Sequence, residues 1–168
     1  MHADIDQLSL PELIDRLDDL EGRRTPVGWR PEDAVLRARI ERRIMQLVCA
    51  QFDGADRRQT LRVPCDLDVK LRSRDRSIRT HARDLGVGGV FLDAPPDDFA
   101  VGTAVEIEVR GAGTDEHGLR VRGAVAWVSA DPDRRGVGVA FANDDSERHE
   151  RRLRRFLIEL LRHRVDAP

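Results

Sequence analysis

Asp84-Leu85-Gly86-Val87-Gly88-Gly89-Val90-Phe91-Leu92 runs a glycine cluster directly into an apolar triplet. A Gly-x-Gly-Gly entry of this kind marks a turn or bulge that opens a β-strand. Alternation continues on both sides of it. Leu67, Val69 and Leu71 alternate with polar neighbours upstream, and Val105, Ile107 and Val109 do so downstream. Val121 follows, then Val125 and Trp127, which alternation puts on one face, and Val137, Val139 and Phe141 close the series. Short strands from about Arg62 to Ala142, divided by Gly, Pro and Asp clusters, indicate an antiparallel sandwich or barrel.

The flanks change period. From Ser9 to about Cys49 the pattern is helical, with Ser9 and Glu12 as a capping box and Leu10, Leu13, Ile14, Leu17 and Leu20 as one apolar stripe. Gly22 is a stop signal, and Thr25-Pro26-Val27-Gly28-Trp29-Arg30-Pro31 reads as a turn. A second helix starts near Pro31, with Glu32 and Asp33 in its first turn, and its apolar face runs through Leu36, Ile40, Ile44, Leu47 and Val48. Together these make an αα-hairpin. The tail is helical again: Ser146 can cap it, and Leu153, Phe156, Leu157, Leu160 and Leu161 repeat at the spacing of a buried face. Arg148, Arg151, Arg152, Arg155 and Arg162 decorate its other sides. The expected division is a helical hairpin over residues 1–54 and a β domain with its C-terminal helix over 55–168.

Composition narrows the function. The 168 residues carry 29 basic and 31 acidic side chains, a net charge of -2. Bulk nucleic-acid binding draws its affinity from a strongly basic surface, so that class is disfavoured. Lys70 is the only lysine, so an anion site here is built mainly from guanidinium forks, which match phosphates and guanine edges. No apolar run reaches the length of a membrane span, and the acidic N-terminus lacks the regions of a signal peptide. Cys49 and Cys65, without CxxC spacing, read as reduced thiols of a cytoplasmic protein.

Two motifs carry the chemistry. Arg57-Arg58-Gln59-Thr60-Leu61-Arg62 puts arginines just before the first strand, and Asp84 to Gly89 leads into Val90. With Gly123-Ala124-Val125-Ala126-Trp127 and Gly136-Val137-Gly138-Val139-Ala140-Phe141, their order and spacing resemble the PilZ family, whose signature is RxxxR followed by [D/N]xSxxG. The likeness covers Arg57 to about Phe141, and it implies a six-stranded antiparallel β-barrel that binds cyclic di-GMP at one rim. On that resemblance Arg58 and Arg62 match the motif arginines, Arg57 assists them, and Asp84 and Gly89 match the acidic and glycine positions. Gly86 stands where the family has serine, which removes one hydroxyl contact worth about 0.5–1.5 kcal/mol.

The residue types suit the ligand. An arginine fork pairs with a phosphate or with the O6/N7 edge of guanine. The Asp84 carboxylate can accept from guanine N1–H and N2–H. Gly88 and Gly89 permit close backbone approach and positive φ.

Other chemistries lack support. There is no GxGxxG entering a helix and no Walker A sequence. His2, His81, His117, His149 and His163 show no metal-ligand spacing, and neither Ser129 nor Ser146 has a GxSxG context. The expectation is a non-enzymatic receptor without cofactor or metal, binding neither nucleic acid nor membrane. Its partners are the dinucleotide and a protein, with a homodimer through the terminal helices open. The resemblance ties its output to motility, attachment or exopolysaccharide. A ligand-free adaptor that docks a protein through its helices is the alternative.

Overall fold

The computed structural model describes residues 4–49, 60–110, 118–142 and 147–166. Three α-helices and six strands follow in the order α1 (Leu10–Arg23), α2 (Pro31–Val48), β1 (Arg62–Arg72), β2 (Ser77–Gly86), β3 (Gly89–Leu92), β4 (Ala104–Val109), β5 (Leu119–Ser129), β6 (Gly136–Phe141) and α3 (Glu147–Asp166). The expected αα-hairpin, strand series and tail helix are all present. The chain forms two compact units, one of Met1–Val63 with Asp145–Pro168 and one of Pro64–Asp144. The C-terminal helix therefore belongs to the same unit as α1 and α2. No helix among the described residues is long and apolar enough to cross a membrane.

Of the two arrangements that alternation left open, the strands form a closed barrel in the order β1-β2-β3-β6-β5-β4. Closure removes the exposed edges that an open sheet of short strands would present. Alternation fills the interior: Val69, Leu71, Ala82, Leu85, Leu92, Ile107, Val109, Val121, Val125 and Val137 are all buried. Two strands break the alternation by one residue. The β2–β3 register shifts between Ala82 and Asp84, and the β5–β6 register shifts between Val125 and Trp127. Each is a β-bulge, which inserts a residue on one strand and re-aims the side chains beyond it.

In the helical unit, α1 starts where the capping box predicts: Ser9 N–H donates to Glu12 Oε2 at 2.8 Å. That bond and the Ser9 hydroxyl hold the Glu12 carboxyl below its ordinary range, with the hydroxyl the larger cause. The helix runs through Gly22 and ends at Arg23, one residue past the expected stop. A turn closed between Thr25 and Gly28 then leads to α2. Leu13, Ile14, Leu17, Leu20, Ile40, Ile44, Leu153, Leu157 and Leu161 form the unit's core. Ser146 lies outside the described residues.

Charges are also buried in this unit. Arg154 of α3 is 4% exposed, Glu41 of α2 is 1% exposed, and the two are hydrogen-bonded. Arg154 Nε donates to Glu150 at 3.0 Å and lies 3.6 Å from Glu21 of α1. Arg24, just past α1, donates to Glu150 at 3.1 Å, while Arg37 reaches Glu41 at 3.3 Å. Burial works against the Glu150 charge, yet the hydrogen bonds from Arg154 and Arg24 hold its carboxyl below the ordinary range. Glu21 is the opposite case. Burial pushes its carboxyl up, against Arg154, Arg24 and Arg37, and neither of its oxygens accepts a hydrogen bond.

Two outcomes follow for stability. Arg154→Ala removes the buried cation shared by Glu41, Glu150 and Glu21 and leaves Glu41 with Arg37 alone, so denaturant unfolding should show a loss of about 3–5 kcal/mol. Glu21→Gln should act in the other direction. Because the folded pKa of Glu21 lies above its ordinary 4.5, its contribution is present in full below that value and is lost as pH rises through the folded value. Thermal unfolding of Glu21→Gln should match the parent below about pH 4.5 and exceed it at pH 7. An equal deficit at every pH would refute this reading.

Candidate functional site

The two bulges act on one row of the barrel. Asp84 of β2 pairs with Phe91 of β3, Phe91 pairs with Gly138 of β6, and Gly138 pairs with Trp127 of β5. Residues directly opposite on paired strands project to the same face. Val90 and Leu92 on either side of Phe91 are 1% and 0% exposed and face the interior, so the row faces outward.

Here the structure corrects a sequence expectation. Uniform alternation along β5 would put Trp127 inside with Val125. The bulge at Ala126 instead turns Trp127 to the outer face, where its ring stacks on Phe91 with centroids 5.1 Å apart and planes 12° apart. On β2 the matching bulge at Arg83 brings Asp84 into the same outward row.

Gly138 makes the stack possible. A Cβ built there would lie 2.1 Å from the Trp127 Nε1, so any side chain would displace the indole. Over the two rings lies a cation: the Arg134 guanidinium carbon is 5.2 Å from the Trp127 centroid and 5.9 Å from that of Phe91. Such contacts contribute about 0.5–1 kcal/mol at exposed sites. Arg134 ends the short 3-10 turn Pro132–Arg134, which Asp131 opens by accepting from Asp133 N–H at 3.0 Å. The row thus offers a carboxylate, two flat aromatic faces and a guanidinium side by side.

The residues expected from the sequence are distributed as follows. Asp84 is half-buried near the end of β2, Gly86 ends that strand, and Gly89 opens β3. Gly89 serves close packing, since a Cβ there would meet the Val139 carbonyl oxygen at 2.4 Å. The Gly88 carbonyl accepts from Phe141 N–H at 2.9 Å. Neither Gly88 nor Gly89 uses the positive φ that glycine permits; among the described glycines Gly28, Gly102, Gly118 and Gly136 have it. Arg62 is the first residue of β1. Arg57 and Arg58 lie outside the described residues.

Phe91, Trp127 and Arg134 were missed as site residues. The available signal was the pair of glycines, Gly136 and Gly138, two residues apart in a strand. Beneath Asp84, burial and then the carboxylates of Asp84 and Asp66 push the Cys65 thiol up to about 12, so it is inert as a nucleophile. No group of His, Cys, Asp and Glu among the described residues is arranged to hold a metal ion.

The PilZ domain family model matches residues 56–159. No curated protein matches the chain in sequence. Among solved structures it is similar to the PilZ domain of YcgR from Escherichia coli with c-di-GMP, at 20% identity and a TM-score of 0.50, over 66% of this chain and 95% of that one. It is also similar to the inhibitor of motility MotI from Bacillus subtilis, at 19% identity and a TM-score of 0.49, over 67% of this chain and 53% of that one. The match therefore spans about half the length of MotI.

The geometry of the row predicts that Gly138→Val displaces the Trp127 indole and weakens the barrel by about 1–3 kcal/mol. Chemical denaturation should report the loss, and the near-UV dichroism of the stacked rings should fall with it. A variant with unchanged stability and unchanged near-UV signal would contradict the close approach of Gly138 to Trp127.

Proposed function

The chain belongs to the PilZ domain family, and from that premise we propose that it is a cytoplasmic, non-enzymatic receptor for cyclic di-GMP. The observation that carries the proposal is the outward row of Asp84, Phe91, Gly138 and Trp127 with Arg134 above it. Guanine needs two kinds of contact that this row supplies. Its N1–H and N2–H donors are a match for a carboxylate such as Asp84, and its flat face can stack on the guanidinium or on the aromatic rings. Arg58 and Arg62, with Arg57 beside them, supply the phosphate and O6/N7 contacts. Gly86 and Gly88 complete the second motif, with Gly89 packed tightly at the start of β3. The missing serine hydroxyl at position 86 lowers affinity by up to about tenfold without removing the charged contacts. Pairing of these arginines with the ligand's two phosphates is how binding would change the protein's interactions, with motility, attachment or exopolysaccharide as the controlled output.

A second reading has its own observation. Within the helical unit a groove of about 880 Å3 is lined by Ile5, Pro31, Val35 and Leu36 with Arg16, Arg23 and Arg39 at its sides, and Val35 is 63% exposed. On this reading the helices dock a protein or a second copy of the chain, and the barrel is a scaffold without a ligand.

Calorimetric titration with cyclic di-GMP, with GTP as control, separates the two. The receptor reading expects saturable binding that Asp84→Ala and Arg58→Ala each weaken by about 10- to 100-fold, since each removes charged hydrogen bonds of roughly 1.5–3 kcal/mol. Absence of heat and of any thermal shift at saturating dinucleotide would reject the receptor and favour docking by the helices.

A further inference from the structure

We propose that the barrel carries a second anion site, formed by β1, β2 and the end of β4, that takes a single phosphate-type oxyanion. Lys70, Arg79 and Arg110 line a cavity of about 90 Å3 together with Asp68, Val69 and Thr80. At about 30 Å3 per water, that volume holds roughly three waters or one tetrahedral oxyanion.

Several cations of the barrel surface have acidic partners: Arg72 with Glu106 at 3.9 Å, Arg120 with Glu108 at 3.4 Å, and Arg83 with Asp93 at 2.7 Å. The side chains of Lys70, Arg79 and Arg110 form no ion pair or hydrogen bond among the described residues. The strands also set two of these cations opposite each other. Ser73 N–H donates to the Arg76 carbonyl at 2.8 Å and closes the turn between β1 and β2, so three residues back along each antiparallel strand Arg79 faces Lys70. Like charges placed across a strand pair repel, and a bound dianion turns that repulsion into attraction.

Arg110 is held against the same spot, because its backbone N–H donates to the Asp68 carbonyl at 3.0 Å. Asp68 is the one carboxylate lining the cavity, and its side chain is 75% exposed and directed to His81. Glu108, opposite Lys70 on β4, is engaged by Arg120. An excess of positive charge therefore faces the cavity. The site does not depend on the dinucleotide reading: Arg79 lies near the start of β2 and Asp84 near its end.

The ligand chemistry is a phosphate dianion, free or carried as a monoester. Titration of the full chain with inorganic phosphate and with O-phosphoserine, at constant ionic strength and with chloride and acetate as controls, tests it. The expected result is saturable one-site binding of at least one phosphate species that Lys70→Ser with Arg79→Ser weakens by about tenfold or more. Asp68→Asn should strengthen it, and Asp84→Ala and Arg122→Ser should leave it unchanged. Tighter binding of phosphoserine identifies a monoester as the ligand; tighter binding of phosphate identifies the free ion. Non-saturable binding by the parent, or equal affinity in the double variant with its circular dichroism intact, overturns the site.

Discussion

Gly138 has no side chain, and an added Cβ would lie 2.1 Å from the Trp127 indole nitrogen. That gap in β6 is bordered by Phe91 on one side and Trp127 on the other, and only across it can the two rings meet at 5.1 Å. The cost of glycine in a strand, lost packing and extra chain entropy, is offset by the ring contact and by the cation resting on it. The row's remaining members depend on the same constraint. Asp84 has a flat apolar neighbour because Phe91 is held down by Trp127, and Arg134 has a surface to lie on because both rings are parallel to within 12°.

The strands were legible because barrel closure needs one apolar residue in two, and that period is plain from Leu67 to Phe141. Asp84, too, could be placed at a strand entry from the glycines that follow it. What alternation could not reveal was a change of phase. A bulge adds one residue to one strand, and from there on inward and outward positions exchange. Trp127 stands two residues after Val125 and carries a large apolar ring, so every local rule assigned it to the interior. Its outward position is decided by β6, since it pairs with Gly138 and not with the inward-facing Val137 or Val139. Pairing across strands is non-local information, and one sequence does not contain it in readable form.

The helical unit shows the same limit in a different way. Arg154 is one of many arginines in α3, and charge alone puts it on the solvated side. Its position relative to Ile158 and Leu161, four and seven residues later, puts it in the buried stripe. The two signals conflict, and which of them prevails depends on whether partners exist across the interface. Glu41 and Glu21 on the neighbouring helices supply them. An isolated buried guanidinium would be strongly unfavourable, so the helix can bury Arg154 only as part of this set. Such an arrangement adds little net stability compared with an apolar core, but it ties three helices to one register, because a shift of any one strands a charge.

Pairing, more than number, distinguishes the roles of arginine in this chain. With 29 basic and 31 acidic residues the totals nearly cancel, and near-neutrality disfavours bulk nucleic-acid binding while leaving local basic clusters possible. The structure resolves that balance into unlike local cases. Arg162 lies 2.7 Å from Asp18 and serves the contact of α3 with α1. Arg83 and Arg120 neutralise carboxylates on adjacent strands of the barrel. Arg134 forms no ion pair among the described residues and lies over aromatic faces instead, which leaves its charge uncancelled. A guanidinium bound to a carboxylate must lose that partner before it can hold a phosphate, whereas one resting on a π face keeps its donors. Net charge averages over these cases, and it therefore excludes only binding modes that need a broad basic surface, not those that need two or three cations in one place.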